Sequence, residues 1–370
     1  MVLRSVRYLF VPSSSQLSTH ARHQANTSPY QVRSLALEYR NSALARSTSA
    51  TTPFLIYLTS RNHDRGERAL SELQTNDQAL QDAAVLTRDG GNVELRYKQL
   101  DVGEDDSILD FVNFLHAEHK EGMDILVNNA GVALDADGFS TSHRPAIRSC
   151  SPSSLSSLIL STAPDNVATT LRTNYHAPLT LSLRLLSLLR LSSTPSTPSR
   201  ITNLSSLLSK LSTPKYSPRI IAAFRAAVAA GSIADVTDLM AGFEDAVAIE
   251  AAHQGEERAK VEGQGWPRSA YAVSKAGVTA VSVILGREEL RKAGRGKRGD
   301  AEGGAVLVNA CCPGFVSTDM TNNRGRKTAE RGAQTPVKLA LGDLRGSGGE
   351  FWERGEVSVW DTAGELEDVS

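Results

Sequence analysis

The sequence predicts an α/β protein built on a doubly wound parallel β-sheet, and three observations support this prediction. Short apolar runs of strand length alternate with segments of helical spacing, which is typical of a parallel sheet with helices on both faces. The predicted strands are almost continuously apolar, as expected when both faces of a sheet are buried. The composition is that of a globular protein, because 40% of the 370 residues are hydrophobic and 22% are charged.

The regular alternation begins at residue 54. The runs predicted as strands are residues 54–59, 94–102, 123–131, 200–206 and 304–316. The segments predicted as helices are residues 65–74, 107–119, 168–191 and 271–293. Each strand run contains β-branched or aromatic residues, whereas the helical segments repeat their apolar residues every three or four positions.

Three segments interrupt the alternation. Residues 135–165 are rich in serine and predict a surface loop of low complexity, and the Ser/Thr/Pro run at 192–200 predicts a second loop. Residues 207–268 form a larger insertion, whose middle predicts two or three short helices. Ligands of open α/β sheets bind outside the carboxyl ends of the strands. The insertion follows such an end, so we interpret it as a lid or substrate wall; a packing elaboration is the alternative.

Charge, hydropathy and cysteine content exclude several functions. The 40 basic and 41 acidic residues leave a net charge of −1, which gives no reason to expect a nucleic acid or an acidic membrane as partner. No apolar run approaches the length of a membrane-spanning helix. The three cysteines, Cys150, Cys311 and Cys312, lack the spacing of a zinc site, so we expect no metal. A reducing compartment, the cytoplasm, is the expected location.

The N-terminal segment differs from the rest of the chain. It carries Arg4, Arg7, Arg22 and Arg33, several serines and no acidic residue before Glu38. That composition is typical of a mitochondrial transit peptide, which makes the mitochondrion the alternative location. A non-native N-terminus is the competing interpretation.

Tyr271 precedes Lys275 by four residues in a predicted helix, so the phenol and the ammonium project from the same face. Transfer of a hydride to a carbonyl carbon requires a proton donor at the carbonyl oxygen. A free tyrosine has a pKa of about 10, and a neighbouring ammonium favours its phenolate. We therefore expect Lys275 to lower the pKa of Tyr271. A pair on a helix surface without function is the alternative.

Four motifs occur in an order that resembles one enzyme family. They are LVNNAG at 126–131, NLSS at 203–206, YAVSK at 271–275 and NACCPGFVSTDM at 309–320. In this order and spacing the chain resembles the short-chain dehydrogenases/reductases. Among them it looks most like the carbonyl reductases, which also carry a long insertion before the catalytic tyrosine and a segment similar to GWPRSAY at 265–271.

The resemblance implies a Rossmann-type fold with one catalytic domain, residues 32–370, in which residues 207–268 are the helical insertion on the substrate side. It also implies a monomer, because the insertion of similar carbonyl reductases covers the face through which many relatives associate. It assigns proton donation to Tyr271, substrate binding to Ser206 with Ser205 as the fallback, and ribose binding to Lys275. Asn174 corresponds to a residue that interrupts its helix and holds a water molecule.

The resemblance also implies a nicotinamide cofactor and the residues that bind it. Besides Tyr271 and Lys275, they are Asp101, Val102, Asn129, Ala130, Gly131, Pro313, Gly314, Val316 and Thr318. Arg61 follows the second strand of the family pattern, with no carboxylate before Asp64. An arginine at this place accommodates a 2′-phosphate, so NADPH is the expected cofactor. Trp266 and Phe315 are the expected substrate-binding aromatic residues.

The glycine-rich loop of the family pattern is missing. The family begins with a strand and a TGxxxGxG turn, whose glycines let a helix N-terminus approach the pyrophosphate. Residues 21–28, where the turn is expected, read ARHQANTS, and residues 1–31 contain no glycine. The first interpretation is that residues 1–31 are an atypical, poorly ordered segment, so that the sheet lacks its central first strand. The second is that residues 6–15 supply the strand and that serines bind the phosphates.

The leading functional prediction is an NADPH-dependent carbonyl reductase that converts an aldehyde, ketone or quinone into an alcohol. Its partner is therefore a small-molecule carbonyl compound. The first alternative is a member of the family that is inactive because it cannot hold its cofactor. The second is a binding protein that keeps the fold without catalysis.

Overall fold

A computed structural model describes residues 6–11, 27–47, 53–134, 163–212, 216–253, 260–295, 304–321 and 323–361. Its strands are β1 (Val6–Val11), β2 (Phe54–Ser60), β3 (Val93–Gln99), β4 (Ile125–Asn128), β5 (Arg200–Leu204), β6 (Leu307–Cys312), β7 (Phe351–Glu353) and β8 (Glu356–Ser358). They form one sheet in the order β3-β2-β1-β4-β5-β6-β7-β8. Neighbouring strands are parallel from β3 through β7, and β8 is antiparallel to β7.

Helices cover both faces of the sheet. They are α1 (Thr27–Glu38), α2 (Ala43–Ser47), α3 (His63–Thr75), α4 (Gln78–Asp82), α5 (Asp105–Glu118), α6 (Pro164–Leu171), α7 (Ala177–Ser192), α8 (Pro218–Ala230), α9 (Ile233–His253), α10 (Ala270–Arg295) and α11 (Ala329–Leu341). Side chains of α1, α3 and α11 share one buried cluster with the sheet, and side chains of α5 and α7 share another. The predicted doubly wound α/β fold is confirmed.

The sheet has its central first strand. β1 lies between β2 and β4 and is parallel to both, with Leu9 in register with Tyr57 on one side and Leu126 on the other. The prediction that the sheet lacks this strand is therefore wrong. Pairing of a strand depends on backbone hydrogen bonds, which an apolar, β-branched and aromatic run can supply without the family motif. Of residues 21–28, where the turn is expected, residues 21–26 lie outside the described residues, and the last two form the start of α1.

The predicted elements after residue 53 agree with the structure in type and order. The helix predicted for residues 168–191 is divided into α6, a short π-helical segment and α7. The predicted loop at 135–165 lies almost entirely outside the described residues. The division of the chain at residues 31 and 32 stays a prediction, and α1 runs across it.

Over its described residues, the insertion at 207–268 contains two α-helices, in agreement with the two or three that the sequence predicts. The Ser217 side chain caps the start of α8, and Gly231, in the left-handed conformation, ends it. α9 then runs for 21 residues and shares a buried cluster with α8, α10 and Trp266. A side chain at Gly277 of α10 would lie 2.8 Å from both Met240 of α9 and Tyr175, so a glycine is needed for this close packing.

Candidate active site

A π-helical segment, Arg172–His176, interrupts the long helix at Asn174. Such single-turn interruptions are frequent at functional sites. The Asn174 side chain accepts a hydrogen bond from Val132 N at 2.8 Å and donates one to Val132 O at 2.8 Å. It also donates to Ser274 Oγ at 3.0 Å. Asn174 thereby joins the segment after β4 to the helix that carries Tyr271 and Lys275.

Tyr271 and Lys275 lie in the first two turns of α10, as the sequence predicts. The Lys275 ammonium is 5.8 Å from the centroid of the Tyr271 ring and donates a hydrogen bond to the Leu204 carbonyl at 2.7 Å. Leu204 is the last residue of β5, so this bond holds the lysine at the carboxyl end of the sheet. Only 4% of Lys275 is exposed.

The two serines after β5 have different partners. Ser205 Oγ contacts Thr279 Oγ1 at 2.6 Å and donates to the Lys275 carbonyl at 3.1 Å, so it anchors α10 to the sheet. A hydrogen bond joins the Ser206 side chain to Tyr271. Ser206 Oγ also accepts from Leu208 N at 3.2 Å. The hydroxyl beside the phenol therefore belongs to Ser206, the residue preferred from the sequence, and not to Ser205.

Gly131 lies where these groups converge. A side chain at this position would be 3.3 Å from Asn174 Oδ1 and 3.3 Å from the Lys275 ammonium. These distances are at the lower limit of ordinary contacts, so a glycine keeps the surface between the two side chains open. A flat ligand can approach the backbone closely at such a place.

Burial controls the protonation of Tyr271 and Lys275. It raises the pKa of Tyr271 to about 12, and the hydrogen bond from Ser206 offsets only part of this effect. It lowers the pKa of Lys275 to about 8. The predicted net lowering of the pKa of Tyr271 is therefore wrong, because loss of hydration outweighs any attraction between ammonium and phenolate. At neutral pH the phenol is protonated and the lysine is mostly charged.

The other predicted cofactor residues follow the carboxyl ends of the strands. Arg61 is exposed directly after β2. The Asp101 side chain accepts from Gly103 N at 2.9 Å, which shapes the turn after β3, and Val102 is buried. Ala130 and Asn129 are buried after β4, and Asn129 Oδ1 accepts a hydrogen bond from Gln31 Nε2 at 3.2 Å.

The segment after β6 is fixed by hydrogen bonds with residues 321 and 327, which follow it in the chain. Gly314 has a φ of +88°, which explains why a glycine stands there. Lys327 N donates to the Phe315 carbonyl at 3.0 Å, and Ser317 N donates to the Lys327 carbonyl at 2.9 Å. Thr321 Oγ1 donates to the Val316 carbonyl at 2.7 Å and accepts from Thr318 N at 3.0 Å. Pro313, Gly314, Val316 and Thr318 thus lie in one ordered loop.

The two predicted substrate-binding aromatic residues differ in exposure. Phe315 is 44% exposed beside this loop, so it can contact a ligand. Trp266 is only 3% exposed, and its ring packs against Phe243 at 5.5 Å between centroids. The structure therefore places Trp266 in the core of the insertion, and its role in substrate binding stays a prediction.

Three polar residues at this edge of the sheet were not singled out from the sequence. Ser274 accepts from Asn174 and donates to the Tyr271 carbonyl at 2.8 Å. Gln31 is buried beside Asn129, and its Oε1 has no hydrogen-bond partner among the described residues. Lys327 reaches the Pro313 carbonyl at 3.5 Å. Only Ser274 had a sequence signal, its place next to Lys275 in the YAVSK motif.

The described residues contain no cluster of His, Cys, Asp or Glu side chains that could hold a metal ion. Over the same residues, no helix is long and apolar enough to cross a membrane.

Comparison with known proteins identifies the family. The mouse protein "Carbonyl reductase [NADPH] 3" is 31% identical over 295 residues, which are 77% of this chain and 81% of that protein. The human protein "Carbonyl reductase [NADPH] 1" is 30% identical over 307 residues, covering 82% of this chain and 88% of the relative. This chain belongs to the carbonyl reductases of the short-chain dehydrogenase/reductase family. The resemblance drawn from the motifs is confirmed.

The fold agrees with solved structures of the short-chain dehydrogenase/reductase family. Salutaridine reductase from Papaver somniferum superposes with a TM-score of 0.59, covering 86% of this chain and 96% of that protein at 24% identity. This likeness concerns the fold alone. No family model matches the chain.

Proposed function

We propose that the protein is an NADPH-dependent oxidoreductase that reduces the carbonyl group of an aldehyde, ketone or quinone to an alcohol. The convergence of Tyr271, Ser206, Lys275 and Asn174 at the carboxyl ends of β4 and β5 carries this proposal. Its carbonyl reductase relatives, whose names specify NADPH, support the reaction and the cofactor.

The chain's own residues provide for the proton and for the carbonyl oxygen. NADPH, when bound, supplies the hydride that the carbonyl carbon accepts. The Ser206 hydroxyl donates a hydrogen bond to the substrate oxygen, and the phenol of Tyr271 delivers the proton that this oxygen needs as the carbon is reduced. Because an alkoxide is a stronger base than a phenolate, a phenol with a pKa of about 12 is acidic enough for this transfer. The charged Lys275 stabilises the phenolate left on Tyr271.

The residues on the nicotinamide side fit the cofactor. Gly131 leaves the surface between Asn174 and Lys275 open, and Gly314 adopts a conformation that few other residues allow. Arg61, exposed at the end of β2, would bind the 2′-phosphate. The ammonium of Lys275 would bind the ribose next to the nicotinamide.

A second candidate function is that of a family member with impaired cofactor binding, because residues 1–31 contain no glycine. A glycine turn supplies both close backbone approach and free N–H groups for the pyrophosphate. With β1 in place, this weakness is confined to the segment between β1 and α1.

Two measurements test the proposal. Fluorescence titration with NADPH separates an enzyme from an impaired member, since an enzyme binds in the micromolar range. Tyr271→Phe removes only the phenolic oxygen and should lower the rate of carbonyl reduction by about 10²–10⁴-fold, the usual contribution of general acid catalysis. Tyr216→Phe is the matched control, because Tyr216 is buried in the insertion and its hydroxyl has no hydrogen-bond partner among the described residues.

Activity of Tyr271→Phe within about threefold of the Tyr216→Phe control would reject Tyr271 as the proton donor. Failure to bind NADPH at millimolar concentration would favour the impaired member.

We also propose a monomer. In the insertion, α9 packs against α6 and against Gly277 of α10, so it covers part of the surface that these two helices would otherwise offer to a second copy. Tyr175 OH and Thr237 Oγ1, 2.8 Å apart, further join the π-helical segment to α9.

A further inference from the structure

Lys327 places a positive charge beside the loop that follows β6. Its side chain lies across Gly314, because a side chain built on this glycine would come within 2.7 Å of the Lys327 ammonium and 2.9 Å of its Cε. The backbone of Lys327 is fixed by hydrogen bonds with Phe315 and Ser317 and by a parallel bridge to Val316. The position of the ammonium is therefore set by ordered backbone on both sides.

Among the described residues, no carboxylate forms an ion pair with Lys327; its one hydrogen bond there is the 3.5 Å contact with the Pro313 carbonyl. Glu353, which lies close enough to affect the Cys312 thiol, is bound by the Lys210 ammonium at 2.6 Å and by Ser358. Exposed Arg326 adds a positive charge next to Lys327. A half-buried cation that has no acidic partner among the described residues attracts anionic ligands.

The charge lies beside the aromatic residue that is predicted to bind the substrate. Lys327 N donates a hydrogen bond to the Phe315 carbonyl at 3.0 Å, so the two residues are held in neighbouring stretches of chain. Phe315, exposed by 44%, lies next to it.

We propose that Lys327 binds a carboxylate on the carbonyl substrate, so that the protein prefers carbonyl compounds bearing a negative charge next to an apolar group. Phe315 contacts the apolar part, and the ammonium of Lys327 pairs with the carboxylate. This inference rests on the proposed carbonyl reduction and adds the class of substrate to it.

Two para-substituted benzaldehydes, one charged and one neutral, test the inference. The carboxylate probe is 4-carboxybenzaldehyde, and the neutral probe is its methyl ester, methyl 4-formylbenzoate. We expect the wild type to have the higher kcat/KM for the carboxylate. Lys327→Met should lower the ratio of kcat/KM for the carboxylate to kcat/KM for the ester about tenfold, the equivalent of about 1.4 kcal/mol, through a higher KM for the carboxylate. Lys327→Arg should keep the preference, and added KCl should weaken it in the wild type.

Lys338→Met is the matched control for net charge. Lys338 lies in α11, is exposed, and donates a hydrogen bond to the Gly355 carbonyl at 2.6 Å. It should keep the preference of the wild type.

Four results would overturn the inference. Equal kcat/KM of the wild type for both aldehydes, with the ester reduced well, rejects the Lys327 subsite while leaving carbonyl reduction intact. An equal loss with both probes in Lys327→Met shows that the lysine only fastens the loop at Pro313. A tenfold weaker affinity of Lys327→Met for NADPH, measured by fluorescence, places the ammonium on the cofactor instead. Reduction of neither aldehyde at any pH rejects the proposed function and this inference with it.

Discussion

Asn174→Ala tests how the active site is held together. The substitution removes three hydrogen bonds and leaves the N–H and carbonyl groups of Val132 without their partner. Val132 is only 6% exposed, so water replaces this partner poorly. Each buried polar group left unpaired costs about 1–3 kcal/mol, which gives about 2–6 kcal/mol for the two groups of Val132. Partial entry of water makes about 3 kcal/mol the expected loss.

This loss is measurable by urea unfolding followed by circular dichroism, since domains have total stabilities of only about 5–15 kcal/mol. Asn166→Ala is the matched control, because Asn166 lies in α6 and its side chain makes no hydrogen bond with the described residues. A difference below about 0.5 kcal/mol between the two variants, at the level of ordinary surface substitutions, would refute the assigned role of Asn174.

Four further predictions concern the cofactor, protonation and assembly. Arg61→Asp should shift cofactor preference from NADPH toward NADH, since a carboxylate repels a 2′-phosphate and can bind a 2′-hydroxyl; an unchanged ratio of kcat/KM values for the two cofactors would contradict this. Carbonyl reduction should decline as the pH rises through about 8, because Lys275 loses its charge with a pKa of about 8, and a flat profile between pH 7 and 10 would argue against this role. Sedimentation at micromolar concentration should show a monomer; a stable dimer or tetramer would show that α9 does not block association. Replacing residues 12–26, which contain no glycine, with a glycine-rich turn of the TGxxxGxG type should tighten NADPH binding by at least tenfold, since it supplies several N–H donors to the pyrophosphate. Low-micromolar affinity of the unmodified chain would mean that the present segment is sufficient.

Much of the fold could be predicted because the strands from β2 to β6 carry strong local signals. Their apolar runs have strand length and alternate with amphipathic helices, and tertiary packing had no need to override these preferences. The π-helical segment at Asn174, in contrast, has no strong local signal in the sequence. Local preference predicts one continuous helix there, and the interruption depends on hydrogen bonds with Val132 and Ser274, which are distant in sequence.

The proximity of the candidate site residues could be predicted from the sequence, whereas their electrostatics could not. Tyr271, Lys275 and Ser206 come together as their motifs imply. The spacing of Tyr271 and Lys275 establishes that they are neighbours, but it carries no information about burial. Loss of hydration dominates both pKa values. The predicted direction of the Tyr271 pKa shift was therefore wrong, because that prediction considered proximity alone. Lys327 was missed because a lysine in a basic loop has no motif, and only its contact with Gly314 distinguishes it.

The family motif normally provides both a central strand and a turn that binds the pyrophosphate, and the N-terminal segment of this chain provides the strand without the glycines of the turn. A central strand requires only a run that can pair on both sides, and Val6–Val11 meets that requirement in register with β2 and β4. Binding of a pyrophosphate requires in addition a turn without side chains in the way, and the first glycine of the chain is Gly66. A chain can therefore complete the sheet and position Tyr271, Lys275 and Ser206 while its affinity for the cofactor stays low. Restoring the turn alone should therefore increase cofactor affinity without changing the response to Tyr271→Phe, because the turn follows β1 whereas Tyr271 lies on α10.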